Sequence, residues 1–96
     1  MSKSIKYSIV VAVYNRPEEM EELLYSLNNQ SYKNFELIIV DDGSQMSSRD
    51  VYNFYKKKFQ ISYYFIDNQG PAMARNFGVN KASGEWIIFF DSDCTI

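Results

Sequence analysis

The sequence predicts an α/β domain of three layers, α/β/α. Its core is a Rossmann-like, mainly parallel sheet of about four strands in the order 3-2-1-4. Three observations predict it. Four apolar runs alternate with three segments of helical period along the 96 residues. The runs are close to continuous rather than alternating, which suits parallel strands covered on both faces. Polar and acidic residues gather just after the runs, where open parallel sheets place their ligands.

The first run, "YSIVVAVY" (residues 7–14), is rich in β-branched residues and reads as a strand. The following "NRPEEMEELLYSLNNQ" reads as a helix. Asn15 and Glu18 have capping-box spacing, and Pro17 sits in the first turn, where its missing N–H costs nothing. Met20, Leu23, Leu24 and Leu27 recur at helical spacing and form one apolar face, and Asn28 and Asn29 fit its end.

"FELIIVDDGS" is a second strand, Phe35 to Val40, that runs into Asp41, Asp42, Gly43 and Ser44. "SSRDVYNFYKKKF" follows as a helix, with Ser47 as its expected cap and Val51, Phe54 and Tyr55 as its inner face. Lys56, Lys57 and Lys58 then form a solvated helix end that complements the helix dipole. "ISYYFID" is the third strand. "NQGPAMARNFGVNKASG" is the third helix, with Pro71 at its start and Gly84 as its stop. Its small residues Ala72, Ala74 and Gly78 allow close packing on a sheet. "EWIIFFD" supplies a fourth strand, expected to be buried, that delivers Asp91 and Asp93.

Composition narrows the function. Apolar residues make up 46% of the chain, enough for a core, so the domain is expected to fold. Aromatic residues reach 17%, which can leave sticky surface where a partner region is missing. The formal net charge of −2 supplies no basic field, so nucleic acid is not an expected partner. Cys94 stands alone and histidine is absent, which excludes an internal disulfide, Ser-His and Cys-His chemistry and the usual zinc ligands. "MSKSIKYS" has no apolar core of a signal peptide, and no run reaches membrane-spanning length. The expected location is cytoplasmic, with membrane association left to any region beyond residue 96.

The acidic pairs carry the chemistry. Asp91 and Asp93 stand at i and i+2, so an extended backbone points both to one side. Two carboxylates there repel unless a cation lies between them. A hard divalent ion with oxygen ligands answers this, and such ions usually also hold substrate phosphates. Asp41 and Asp42 read either as a turn and helix cap or as acceptors for a nucleobase N–H or a ribose hydroxyl. Arg75 is either a surface residue or one that reaches toward the acidic crevice.

In combination, V-x-x-Y-N, V-D-D-G-S, A-R-N-x-G and D-x-D closely resemble the family 2 glycosyltransferases of the GT-A fold. The resemblance runs in unbroken order from Ser8 to Asp93. It implies inverting transfer of a sugar from a nucleotide-diphosphate donor, most readily a UDP-sugar, to an acceptor hydroxyl in glycan or polysaccharide synthesis, the acceptor being a glycan or lipid-linked. By resemblance, Val13, Tyr14 and Asn15 border the nucleotide, Asp41 contacts the base with Asp42 beside it, and Arg75 serves the donor side. Asp91 lies nearer the ribose, and Asp93 holds Mn²⁺ or Mg²⁺ on the diphosphate. The family continues past D-x-D into an acceptor-binding half that supplies the catalytic base. The resemblance therefore implies that residues 1–96 are a single, truncated donor-binding portion, inactive alone and prone to self-association.

Two other readings fit less well. A sugar-phosphate nucleotidyltransferase would carry a glycine-rich basic loop after the first strand, where this chain has "YNRPEE". A phosphoacceptor receiver domain would place its acidic pair after the first strand rather than the second, and a phosphodonor labelling test separates it.

Overall fold

The computed structural model describes residues 7–15, 17–31, 34–45 and 48–91. Four strands and three helices alternate: β1 (Tyr7–Val13), α1 (Pro17–Asn28), β2 (Phe35–Asp42), α2 (Arg49–Tyr55), β3 (Ile61–Ile66), α3 (Pro71–Lys81) and β4 (Trp86–Asp91). The sheet is parallel throughout, in the expected order β3-β2-β1-β4. β2 is buried at every residue, as its unbroken apolar run requires.

The pleat divides β1 and β2 into two sets of side chains. Val11, Val13, Leu37 and Ile39 face α1 and α2, where Met20, Leu24 and Tyr55 complete a core. Val10, Ile38 and Val40 face α3, packed against Ala74 and flanked by Phe77. These are the three layers.

Gly78 explains how α3 lies so close. A Cβ there would stand 2.4 Å from Val10 Cγ1 and 3.4 Å from Val40 Cγ2. Val10 is β-branched and fixed in a central strand, so it cannot turn aside. Gly78→Val is expected to cost about 3 kcal/mol through overpacking. That lowers Tm by more than about 10 °C in a domain of this size, as circular dichroism would show.

At the N-terminal end of the sheet, Glu36 is buried but well satisfied. Its Oε2 accepts from Ser8 Oγ at 2.6 Å, Ser83 N at 2.7 Å and Ser83 Oγ at 2.9 Å. Gly84 N–H donates to Ser8 Oγ at 2.7 Å. This cluster fastens the α3–β4 connection beneath the sheet.

Several local expectations are corrected. α3 ends at Lys81 with Ala82 extended, so Gly84 does not stop it. Gly84 is instead a point of close approach, since a Cβ would lie 2.6 Å from Ser8 Oγ and 2.8 Å from Ser8 N. Phe54 is 67% exposed, and Tyr52 joins Val51 and Tyr55 on the inner face of α2. Ser47 lies outside the described residues, and α2 is preceded by Ser48. Asn15 stands two residues before Pro17, not next to the helix, and its Oδ1 accepts from Gln45 N–H at 2.8 Å.

β4 departs most. It was expected to be buried, yet Trp86, Ile87, Ile88, Phe89 and Phe90 are 39–62% exposed. The strand pairs with β1 at the end of the sheet order, and both its faces are open among the described residues. An apolar run predicts a strand but not the cover over it. No helix of the described residues is long and apolar enough to cross a membrane.

Candidate functional site

The carboxyl ends of β1 and β2 and the start of α3 enclose a cavity of about 150 Å³. Ala12, Val13 and Tyr14 line it from the end of β1, and Asp42 from the end of β2. Asn68, Gly70 and Pro71 close the third side. Parallel topology makes this convergence unavoidable, because every strand delivers its C-terminal end to the same edge.

Asp41 and Asp42 are adjacent in one strand and so turn to opposite faces. Asp41 is fully buried on the α1/α2 side. Its Oδ1 accepts from Ser44 N–H at 3.0 Å, and its Oδ2 accepts from Ser48 N–H at 3.5 Å and from the Tyr63 hydroxyl. Asp41 is not among the residues lining the cavity. Asp42 lines it from the α3 side. There Asp42 Oδ1 accepts from Gln69 N–H at 2.7 Å and Oδ2 from Gly70 N–H at 2.9 Å, which pins the β3–α3 loop at the helix start.

Two glycines permit this. Gly43 has φ 77°, and a Cβ there would meet Asn68 N at 2.8 Å. Gly70 has φ 97° immediately before Pro71, the first residue of α3. Asn15 adds a third tie. It holds φ 55°, its N–H donates to Ser44 Oγ at 2.7 Å, and its side chain accepts from Gln45. The loops after β1 and β2 are thereby bonded to each other.

The expected site residues fall into three groups. Val13, Tyr14 and Asp42 line the cavity, with Tyr14 42% exposed at its rim. Asn15 and Asp41 are not among the lining residues and instead hydrogen-bond the segment after β2. Arg75 is half-buried on α3, one turn beyond Pro71 and so on the helix side that borders the cavity. Asp91 pairs in register with Ala12, which carries β4 to the same edge. The Asp91 side chain, Ser92 and Asp93 lie outside the described residues. Among the described residues no group of three acidic, histidine or cysteine side chains could hold a metal.

Sequence reasoning did not single out Asn68, Ser44, Ser48 or Tyr63 as site residues. Asn68 had a signal, since it directly follows the third strand at the ligand-bearing edge. Tyr63 had none, because its partner Asp41 is 22 residues away.

The fold is a three-layer α/β domain with a parallel sheet and a crevice at that sheet's carboxyl edge. The sequence pattern of glycosyl transferase family 2 matches residues 8–96, and the chain belongs to that family. An uncharacterized glycosyltransferase of Rickettsia bellii is 41% identical over 91 residues, which cover 95% of this chain and 13% of the relative. The chain thus spans about an eighth of that relative's length. S. aureus TarS superposes with a TM-score of 0.84 at 34% identity, over 92% of this chain and 27% of TarS. Structures of TarS with UDP and with UDP-GlcNAc superpose equally well. The mannosyltransferase PcManGT of Pyrobaculum calidifontis, solved with GDP-Man and Mn²⁺, shares the fold with a TM-score of 0.83 at 21% identity, over 96% of this chain and 28% of its own.

Proposed function

We propose that these residues form the donor-binding part of an inverting glycosyltransferase that moves a sugar from a nucleotide diphosphate to an acceptor hydroxyl. One observation carries the reading: the cavity at the carboxyl edge, with Val13, Tyr14, Asp42 and Asn68 converging on it. UDP is the nucleotide expected first, given the UDP and UDP-GlcNAc complexes of TarS.

Asp42 is the carboxylate placed to meet the base or ribose. Its oxygens each hold one backbone N–H, and a carboxylate has about four acceptor directions in all, so capacity remains for a ligand donor. Asp41, expected from the resemblance to contact the base, acts here as the organiser of the loop beneath. Tyr14 offers a ring face at the rim, and Arg75 positive charge one turn along α3. Asp42 is the one carboxylate among the described residues that line the cavity.

Asp93 with Asp91 would hold Mn²⁺ or Mg²⁺ on the diphosphate, where the ion neutralises charge on the leaving group. Their oxygen donors suit a hard cation, and the reading is supported by the register of Asp91 with Ala12, which carries β4 to the cavity's edge. Calorimetry of UDP should therefore show tighter binding with Mn²⁺ than without it. Asp93→Ala should remove the difference, and equal affinity in both conditions would count against the metal role.

Self-association of the chain is a second expectation. β4 presents five consecutive large apolar residues on a sheet edge that is unpaired among the described residues, a template for another strand. The sedimentation coefficient should rise with concentration and fall back in Ile88→Lys. A monomer at every concentration would contradict this.

A further inference from the structure

Tyr63 lies on β3, diagonal to Asp41 on the face covered by α2, and its hydroxyl donates to Asp41 Oδ2. Two side chains of α2 lie against its ring. Tyr52 stacks on it with centroids 5.4 Å apart, and the Arg49 guanidinium carbon stands 5.3 Å from its centroid. A fully buried carboxylate needs every donor it can gather. Besides Tyr63, Asp41 has the amides of Ser44 and Ser48. Ser44 then passes the constraint on, since its Oγ accepts from Asn15 N–H and Asn15 Oδ1 accepts from Gln45 N–H. A continuous series of hydrogen bonds therefore runs from the Tyr63 hydroxyl to the Tyr14–Asn15 corner at the cavity's rim. The β3–α3 loop is held separately, by Asp42 on the opposite face.

We propose that Tyr63 is a positioning residue for the nucleotide site: through Asp41 and Ser44 it fixes the Tyr14–Asn15 rim without touching the ligand. This rests on the nucleotide reading given above. Removing the hydroxyl takes one of Asp41's three donors among the described residues and loosens Ser44, Gln45 and Ser48 together with Asn15. It leaves the loop at Gln69 and Gly70 in place. A role in general stability would instead loosen both loops alike.

Tyr63→Phe, in the full chain, tests this with two readouts. Amide hydrogen exchange should accelerate at Asn15, Ser44, Gln45 and Ser48 and stay unchanged at Gln69 and Gly70. Calorimetry well below the melting temperature should show UDP bound about fivefold more weakly, because the rim loses order while the ligand keeps its own contacts. Ser44→Ala breaks the same series nearer the rim, so it should accelerate exchange at Asn15 and Gln45 and weaken UDP binding to a similar degree, which keeps the test open if Tyr63→Phe folds poorly. If exchange accelerates evenly across both loops, or if the variants bind UDP as tightly as the unsubstituted chain, Tyr63 is structural only and the proposal falls. If the unsubstituted chain binds no UDP, the nucleotide reading falls and takes this proposal with it.

Discussion

Asp41→Ala is expected to be the most destabilising single substitution at the edge of the sheet that carries the cavity. The side chain is fully buried, and its removal strands the Ser44 and Ser48 amides and the Tyr63 hydroxyl. Each buried donor left without a partner costs about 1–3 kcal/mol, so the sum is about 4 kcal/mol or more. A domain of this size has only about 5–15 kcal/mol in total. Thermal unfolding should therefore begin more than about 15 °C earlier. Asp41→Asn keeps one acceptor oxygen and should fall between the two. A melting temperature for Asp41→Ala within about 3 °C of the unsubstituted chain, the range of a surface change, would show that Asp41 organises nothing.

Asp42→Ala should have the opposite profile, with a modest loss of stability and a large loss of ligand. Asp42 holds two amides of one loop, Gln69 and Gly70, and lines the cavity. A charge-assisted hydrogen bond to the nucleotide is worth about 1.5–3 kcal/mol, so UDP should bind at least about tenfold more weakly. Calorimetry on the folded variant checks this. An unchanged Kd would remove Asp42 from the binding surface and leave it as a tie between β2 and α3.

The contrast between these neighbours marks how far the sequence could be read. "VDDGS" after an apolar run located a strand end with two carboxylates, and the strand seen there turns them to opposite faces. Which face holds the cavity depends on where α3 starts. That is decided by Gly43 nesting against Asn68 and by the pairing of Asp42 with Gln69 and Gly70. The resemblance assigned the base to Asp41 with Asp42 beside it, and of the two Asp42 lines the cavity. The strands themselves were legible because β-branched runs such as "SIVVAV" and "LIIV" have few other stable arrangements in an α/β chain. "WIIFF" was legible as a strand for the same reason but misled on burial, because hydrophobicity records what a segment needs covered and not whether the described residues cover it. Gly84 illustrates the same limit. A glycine soon after a helix suggests a cap, but the constraint comes from Ser8, 76 residues earlier, pressed against it.

The most direct test is a titration of UDP, with Mg²⁺ present, followed by amide chemical shifts of the isotopically labelled chain. A saturable response concentrated at Val13, Tyr14, Asp42, Asn68 and Gly70, with Glu36 and Ser83 at the far end of the sheet silent, is the predicted result. No saturable response, or one centred on β4 or on the Ser8–Glu36–Ser83 cluster, would contradict the placement of a nucleotide at the carboxyl edge of this sheet.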